Sequence, residues 1–311
     1  MLLSIVVPVF NEEGNIAHLA ERVLPVLRNL NVPFELIIVD DGSRDNTWRA
    51  ICEVARTTPE LVGYRLSRNF GHQGALLAGL NKARGDAIVS MDGDLQHPPE
   101  VIPQMLAEWR AGSKVVITRR RDAESTTAFK RMTSQYFYRV FSSIAETTME
   151  PGTSDFRLLD RQALSELLRL NYGEPFLRGA VQLLGFRRTT VEFDVGERFS
   201  GKSKYTLAKM LRFARQGLIS HSVVPLRIGI WLGLAMGLVS FAEIGYIIFQ
   251  YAAGNTVEGW ASTLGLMSLL FSVLFVVIGV IGLYLEDIHK LLKGRPHFII
   301  ADAVGTPIDR T

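Results

Sequence analysis

The chain has 311 residues, a formal net charge of +3 and 48% hydrophobic residues, room enough for a catalytic domain with an appendage. The near-balanced charge, with no long Lys/Arg run before the C-terminal third, argues against a nucleic-acid partner. Cys52 is the only cysteine, which excludes an internal disulfide and a thiolate zinc cluster, and the six histidines show no metal-ligand spacing.

Leu2-Leu3-Ser4-Ile5-Val6-Val7-Pro8-Val9 carries no basic leader or small-residue cleavage site, a pattern that predicts a first strand rather than a signal peptide. Further apolar runs predict strands over 35–40, 61–65, 87–91 and 115–118, separated by helical patterns over 15–29, 46–56, 74–83 and 99–111. Strand and helix in alternation imply an α/β fold with a mostly parallel sheet covered on both faces. Such sheets bind ligands beyond the carboxyl ends of their strands.

Polar residues collect at those ends. Pro8-Val9-Phe10-Asn11-Glu12-Glu13 follows the first strand, and Val39-Asp40-Asp41-Gly42-Ser43-Arg44-Asp45-Asn46-Thr47 follows the second. Part of the latter is a turn with a helix cap, but paired carboxylates above a central strand also suit ligand binding. Arg68-Asn69-Phe70-Gly71-His72-Gln73-Gly74 leads into a helix start able to receive a phosphate. After the fourth strand come Asp92-Gly93-Asp94-Leu95-Gln96-His97-Pro98-Pro99. If the strand continued, Asp92 and Asp94 would point to one side, with Gly93 letting a ligand approach the backbone. With the Gln96 oxygen they form a hard-oxygen set suited to Mg²⁺ or Mn²⁺ shared with a diphosphate. A lone Asp-x-Asp also reads as a solvated acidic turn.

Pro8-Val9-Phe10-Asn11-Glu12, Asp40-Asp41-Gly42-Ser43, Arg68-Asn69-Phe70-Gly71 and Asp92-Gly93-Asp94-Leu95-Gln96 occur in that order. Together they resemble the GT-A domain of inverting family 2 glycosyltransferases. The resemblance is nearest to the polyprenyl-phosphate hexosyltransferases, a group that includes dolichol-phosphate mannose synthase and the bactoprenol glucosyltransferases. It implies a metal-dependent hexosyltransferase with a GT-A (Rossmann-like) catalytic domain, a nucleotide-sugar donor, UDP-glucose first with GDP-mannose, a UDP-N-acetylhexosamine or a modified pentose as alternatives, and an undecaprenyl or related polyprenyl phosphate acceptor. It further implies nucleotide-sugar contacts at Pro8, Phe10, Glu12, Val39, Asp40, Asp41 and Asp92, and a metal on Asp92, Asp94 and Gln96. Gly93, often Ala in that group, and His97, often acidic there, are departures that remove no metal-binding oxygen.

By the same resemblance, Arg119, Arg120, Arg131 and Ser134 contact the acceptor phosphate, and Asp155 in Gly152-Thr153-Ser154-Asp155-Phe156-Arg157 orients the acceptor. The segment after a strand pattern over 187–195 resembles the family's mobile loop, with Arg198, Lys202 and Lys204 on phosphates. Asp92, Asp94, Asp155 and Arg198 form the expected catalytic set.

Leu207, Leu211, Ala214 and Leu218 at helical spacing, with Lys209, Arg212 and Arg215 elsewhere, predict a basic amphipathic helix. It lies in the headgroup region or packs on the catalytic domain. Residues 228–251 and 261–285 are each long and apolar enough to cross a bilayer. Basic residues flank the pair, and the loop 252–260 has none, so the positive-inside rule places both termini in the cytoplasm of an inner-membrane protein. Glu243 inside the first span predicts helix packing between subunits of a homo-oligomer. The expected division is a catalytic domain over 1–200, a basic loop and interface helix over 201–222, a transmembrane hairpin over 223–288 and a cytoplasmic tail over 289–311.

Three other classes meet the sequence less well. A processive polysaccharide synthase would carry a Gln-x-x-Arg-Trp motif, which is missing. A dinucleotide-dependent oxidoreductase would carry Gly-x-Gly-x-x-Gly after the first strand. A non-catalytic nucleotide-sugar binding scaffold would have no need of the intact Asp92, Asp94 and Gln96.

Overall fold

The computed structural model describes residues 1–120, 153–170, 177–193, 224–254, 259–294 and 296–306. It contains two compact units, one built on a β-sheet and one on two long apolar helices.

Among the described residues eight strands make one sheet: β1 (Leu3–Val9), β2 (Phe34–Asp40), β3 (Leu61–Leu66), β4 (Ala87–Ser90), β5 (Val115–Arg120), β6 (Thr153–Asp160), β7 (Arg188–Phe193) and β8 (Ile300–Val304). Their spatial order is β7-β5-β6-β4-β1-β2-β3-β8. The joints β1–β2, β1–β4, β2–β3 and β5–β7 are parallel; β6 runs antiparallel to both β4 and β5, and β8 antiparallel to β3. The mostly parallel α/β sheet expected from the sequence is therefore present, with β6 and β8 as additions.

Around the sheet lie α1 (Ile16–Arg28), α2 (Thr47–Thr57), α3 (His72–Lys82), α4 (Ile102–Arg110), α5 (Arg161–Arg169) and α6 (Leu177–Leu183). Leu3, Ile5, Val7 and Val9 of β1 face one core layer with α1, α2 and α4, while Val6 faces a second layer with α3, α5 and α6. This period of two, with both faces apolar, is why β1 reads as an unbroken hydrophobic run. In α1 the buried positions Ile16, Leu19, Ala20, Val23, Leu24 and Leu27 recur at helical spacing and supply its core face. Helix α3 is buried over most of its length and sits close to β1: a Cβ on Gly79 would lie 2.3 Å from a Val6 methyl.

The register explains Pro8 in a central strand. β4 ends at Ser90, opposite Val6, and the Met91 N–H bonds the Val6 carbonyl, whereas the Val9 carbonyl faces β2 through the Asp41 N–H. Pro8, two residues beyond Val6, thus turns its missing donor to the side where the β4 ladder has already finished.

In the other unit, α7 (Val224–Ala252) and α8 (Trp260–Leu292) include the stretches Ile228–Ala252 and Leu269–Glu286, each long and apolar enough to cross a membrane. Trp231, Phe241 and Phe249 are exposed on α7, as expected of side chains that face lipid. The predicted amphipathic helix over 207–218 lies outside the described residues.

The segment after α8 returns to the sheet. Arg65 pairs with Asp302 and Gly63 with Val304, the Ser67 N–H bonds the Ile299 carbonyl, and the His297 carbonyl lies 3.0 Å from where a Gly74 Cβ would be. A strand within the stretch expected as a simple tail covers the β3 edge that would otherwise be open.

Candidate active site

Because β1, β2, β4 and β5 run parallel and β6 runs against them, the C-terminal ends of the first four and the start of β6 share one edge. That edge gathers Phe10, Asp40, Asp41, Asp92, Asp94, Arg119, Arg120 and Asp155.

On the β2 side, side chains tie loop to loop. Asn11, at φ 54, donates its N–H to Ser43 Oγ at 2.8 Å and accepts the Arg44 N–H on Oδ1 at 2.9 Å. The Glu12 N–H reaches Thr47 Oγ1 at 2.9 Å, and Asp45 accepts the N–H groups of Thr47 and Glu13. Asp40, wholly buried, accepts the Ser43 N–H at 2.9 Å, and its other oxygen lies 3.7 Å from Arg65 Nε. Asp41 accepts the N–H groups of Phe70 (2.7 Å) and Gly71 (3.0 Å). Burial pushes the Asp41 carboxyl above its usual range more than these two bonds pull it down.

Two expectations change here. The Phe70 and Gly71 N–H groups, at the helix start read as a phosphate receiver, are already bonded to Asp41. Val39 is wholly buried and its side chain packs toward Gly79 of α3, so it lies in the core. Pro8 is buried as well, whereas Phe10 is 41% exposed above the strand end.

The β4 side is built differently. The strand stops at Ser90, so strand alternation does not set the directions of Asp92 and Asp94, which lie on a turn with Leu95 at φ 61. A non-glycine residue in that region is strained, and burial of the Leu95 side chain offsets the cost. Gly93 opens no approach for a ligand: a Cβ there would lie 2.6 Å from a Val9 methyl, so the glycine lets the turn pack on β1. Asp94 Oδ1 accepts the Gln96 N–H at 3.1 Å. The Asp92 N–H donates to His97 Nδ1 at 3.0 Å, and the buried His97 ring stacks on Phe156 at 5.0 Å between centroids. Accepting that bond marks Nδ1 as unprotonated, so its 3.7 Å separation from Asp92 Oδ2 is proximity rather than an ion pair.

Asp155 is buried at the start of β6 and ion-paired through Oδ1 with Arg157. Its Oδ2 accepts from Gln73 Nε2 at 3.2 Å and lies 3.5 Å from His72 Nε2, which is itself 3.4 Å from Asp92 Oδ1. His72, Gln73 and Arg157 are thus parts of the site that the sequence reading did not single out. The available clue was a helix opening with two long polar side chains directly after a strand end.

The acidic set fits a divalent cation as part of a shared shell. Among the described residues Asp92 Oδ1 is buried with no hydrogen-bond partner, His72 Nε2 lying 3.4 Å away. The Glu12 carboxyl is pushed up, chiefly by burial and in part by the charges of Asp94 and Asp45, which a cation would relieve. Among the described residues no three acidic, histidine or cysteine groups are arranged to hold a metal by themselves. Two carboxylates completed by substrate phosphates and water are what Mg²⁺ or Mn²⁺ commonly takes. Arg119 lies on β5 in register with Glu192, and only the backbone of Arg120 is described. Arg131, Ser134, Arg198, Lys202 and Lys204 lie outside the described residues.

The profile described as glycosyl transferase family 2 matches residues 4–168, from β1 through α5. The chain belongs to glycosyl transferase family 2. Among its relatives within the family, the bactoprenol glucosyl transferase of Shigella phage SfII is 35% identical over 301 residues, 96% of this chain and 97% of that protein. The prophage bactoprenol glucosyl transferase homolog of Escherichia coli (strain K12) is 34% identical over 96% of this chain and 98% of that protein. An uncharacterized glycosyltransferase of Synechocystis is 36% identical over 97% of this chain and 96% of that protein. Among solved structures, glucosyl-3-phosphoglycerate synthase from Mycobacterium tuberculosis, in complex with Mn²⁺, UDP and glucosyl-3-phosphoglycerate, shares the fold. Its TM-score is 0.52 at 19% identity, covering 70% of this chain and 78% of that one. The chain is a glycosyltransferase of GT-A fold with two apolar C-terminal helices.

Proposed function

We propose that this family 2 enzyme transfers one hexose, glucose from UDP-glucose first, to undecaprenyl or a related polyprenyl phosphate at the cytoplasmic face of the cell inner membrane. The observation that carries this reading is the similarity to bactoprenol glucosyl transferases across 96% of the chain, apolar helices included. A lipid acceptor also gives those helices a purpose, since they keep the enzyme where its substrate lies.

In this reading Pro8, Phe10, Glu12, Asp40 and Asp41 bind the nucleoside, and Asp92 serves both the ribose and the metal site. Asp92, Asp94 and Gln96 would hold Mg²⁺ or Mn²⁺, whose chemistry is to neutralise the diphosphate as it departs. A phosphate monoester has a second pKa of about 6, so the acceptor is largely dianionic at neutral pH and needs no protein base. Its oxygen forms the bond to the sugar C1 while the bond from C1 to the diphosphate oxygen breaks, and the nucleoside diphosphate leaves with the electron pair. Attack from the opposite face inverts the anomeric centre. Arg119, Arg120, Arg131, Ser134, Arg198, Lys202 and Lys204 compensate the acceptor charge, and Asp155 orients the acceptor. Both termini are cytoplasmic, residues 1–200 with the returning strand β8 form the catalytic domain, 201–222 the loop and interface helix, 223–288 the hairpin and the rest of 289–311 the tail. Glu243 supports a homo-oligomer through helix packing.

The test is a panel of UDP-glucose, UDP-galactose, UDP-N-acetylglucosamine and GDP-mannose, each incubated with detergent-solubilised protein, undecaprenyl phosphate and Mn²⁺, with lipid products identified by mass spectrometry. A hexosyl lipid phosphate from UDP-glucose is expected. Product from another donor alone corrects the sugar, and no lipid product from any donor overturns the reading.

A further inference from the structure

The Gln73 side chain joins three elements. Its Nε2 donates to Asp155 Oδ2 of β6 at 3.2 Å, and its Oε1 accepts the N–H of Leu177, the first residue of α6, at 3.3 Å. These two partners lock the amide. A flip would set Oε1 against a carboxylate and Nε2 against an N–H, replacing two hydrogen bonds with two repulsive contacts. The start of α3, which carries Gln73, is held as well, because Asp41 accepts the Phe70 and Gly71 N–H groups just before it.

The two oxygens of Asp155 are held from different directions. Arg157 pairs with Oδ1 and compensates the buried charge, and Gln73 bonds Oδ2. Oδ2 is also the oxygen next to His72 Nε2, and through it next to Asp92 Oδ1, each within 3.5 Å of the imidazole. Anchors on both oxygens together define the plane of the carboxylate.

From this geometry we infer that Gln73 is a positioning residue for sugar transfer, holding the Asp155 carboxylate in the plane that presents Oδ2 toward Asp92. The inference rests on the proposed role of Asp155 in orienting the acceptor. In this role Gln73 acts through Asp155, so its loss lowers kcat while the donor KM stays close to that of the parent.

Full-length Gln73→Glu, Gln73→Met, Asp155→Asn and the double variant Gln73→Met/Asp155→Asn test it with UDP-glucose and undecaprenyl phosphate, each checked for folding by thermal unfolding. Gln73→Glu keeps an acceptor for Leu177 but sets a second carboxylate where the donor to Asp155 was, whereas Gln73→Met removes both bonds without adding charge. Both Gln73 variants are expected to lose about 10- to 100-fold in kcat with donor KM little changed. The double variant is expected to be no slower than Asp155→Asn alone, since residues that act as one unit are not additive. Transfer undiminished in Gln73→Glu while Asp155→Asn is impaired overturns the inference alone. Losses that multiply in the double variant, or that track the fraction unfolded, overturn it too. Full activity in Asp155→Asn overturns the role of Asp155 and the inference with it.

Discussion

On the β2 flank of the β1 strand end, Asp40, Asp41 and Asp45 give their oxygens to backbone N–H groups of Ser43, Phe70, Gly71, Thr47 and Glu13. On the β4 flank, Asp155 is met by guanidinium and amide side chains, an imidazole stands between it and Asp92, and one Asp92 oxygen has no hydrogen bond among the described residues. A carboxylate bonded to backbone shapes a loop and leaves its place only if the loop changes. One that faces side chains can exchange partners when a ligand arrives. Acidic residues on the first flank therefore serve fold and site together, whereas Asp92 and Asp155 on the second serve the site.

The largest contrast is expected from Asp94→Asn. Loss of charge at the position proposed to face the diphosphate is expected to remove several kcal/mol of transition-state stabilisation, about a hundredfold or more in rate. Its unfolding free energy in urea is expected to stay within about 1 kcal/mol of the parent, because Asn still accepts the Gln96 N–H. Asp41→Ala breaks both properties at once. Two N–H groups lose their partner at about 1–3 kcal/mol each, and the start of α3 loosens, so stability in urea and transfer rate fall together. A fully stable Asp41→Ala would erase the distinction between the flanks.

Gly42→Ala sharpens the same point without touching a charge. Gly42 has φ 65, and a Cβ would lie 2.5 Å from the Arg68 backbone, so a loss of about 1–3 kcal/mol is expected in thermal unfolding. Asp160, paired with Ala87 at the opposite edge of the sheet, is a control for pH. Burial alone would raise its pKa, but hydrogen bonds from Trp109, the Gln162 N–H and Lys114 outweigh it and the net shift is downward. A depressed folded pKa gives stability that is present above the unfolded value of about 4 and lost as pH falls through the folded one. Asp160→Asn should thus flatten the acid limb of an unfolding profile while leaving transfer at neutral pH intact. The smallest effect is expected for Asp302→Ala. Its pair with Arg65 is exposed at 3.8 Å, worth about 0–1 kcal/mol in urea unfolding.

The fold was legible where burial on both faces makes a strand an apolar run: 3–9 reads the same in sequence and structure. Where burial is paired with charge it was not. β6 carries Asp155 and Arg157, both buried and compensating each other, so its pattern looks polar until the ion pair is seen. β8, Ile-Ala-Asp-Ala-Val at a sheet edge, is half-exposed and lacks any run. The acidic site residues were visible because nothing local explains carboxylates above a central strand. Their partners were not, since the approach of His72 and Gln73 to Asp92 and Asp155 depends on how α3 packs beside β1. Gly93 was misread for the same reason, its close neighbour being Val9 rather than a ligand.

The measurement that bears most directly on the account is transfer of labelled glucose from UDP-glucose to undecaprenyl phosphate by the parent and Asp94→Asn proteins side by side. Each is assayed as prepared, after chelation and after return of Mn²⁺. The account predicts a lipid-linked product from the parent, lost on chelation and restored by Mn²⁺, and about a hundredth of the parent rate or less from folded Asp94→Asn under every condition. Equal product from both proteins, indifferent to the chelator, would contradict it.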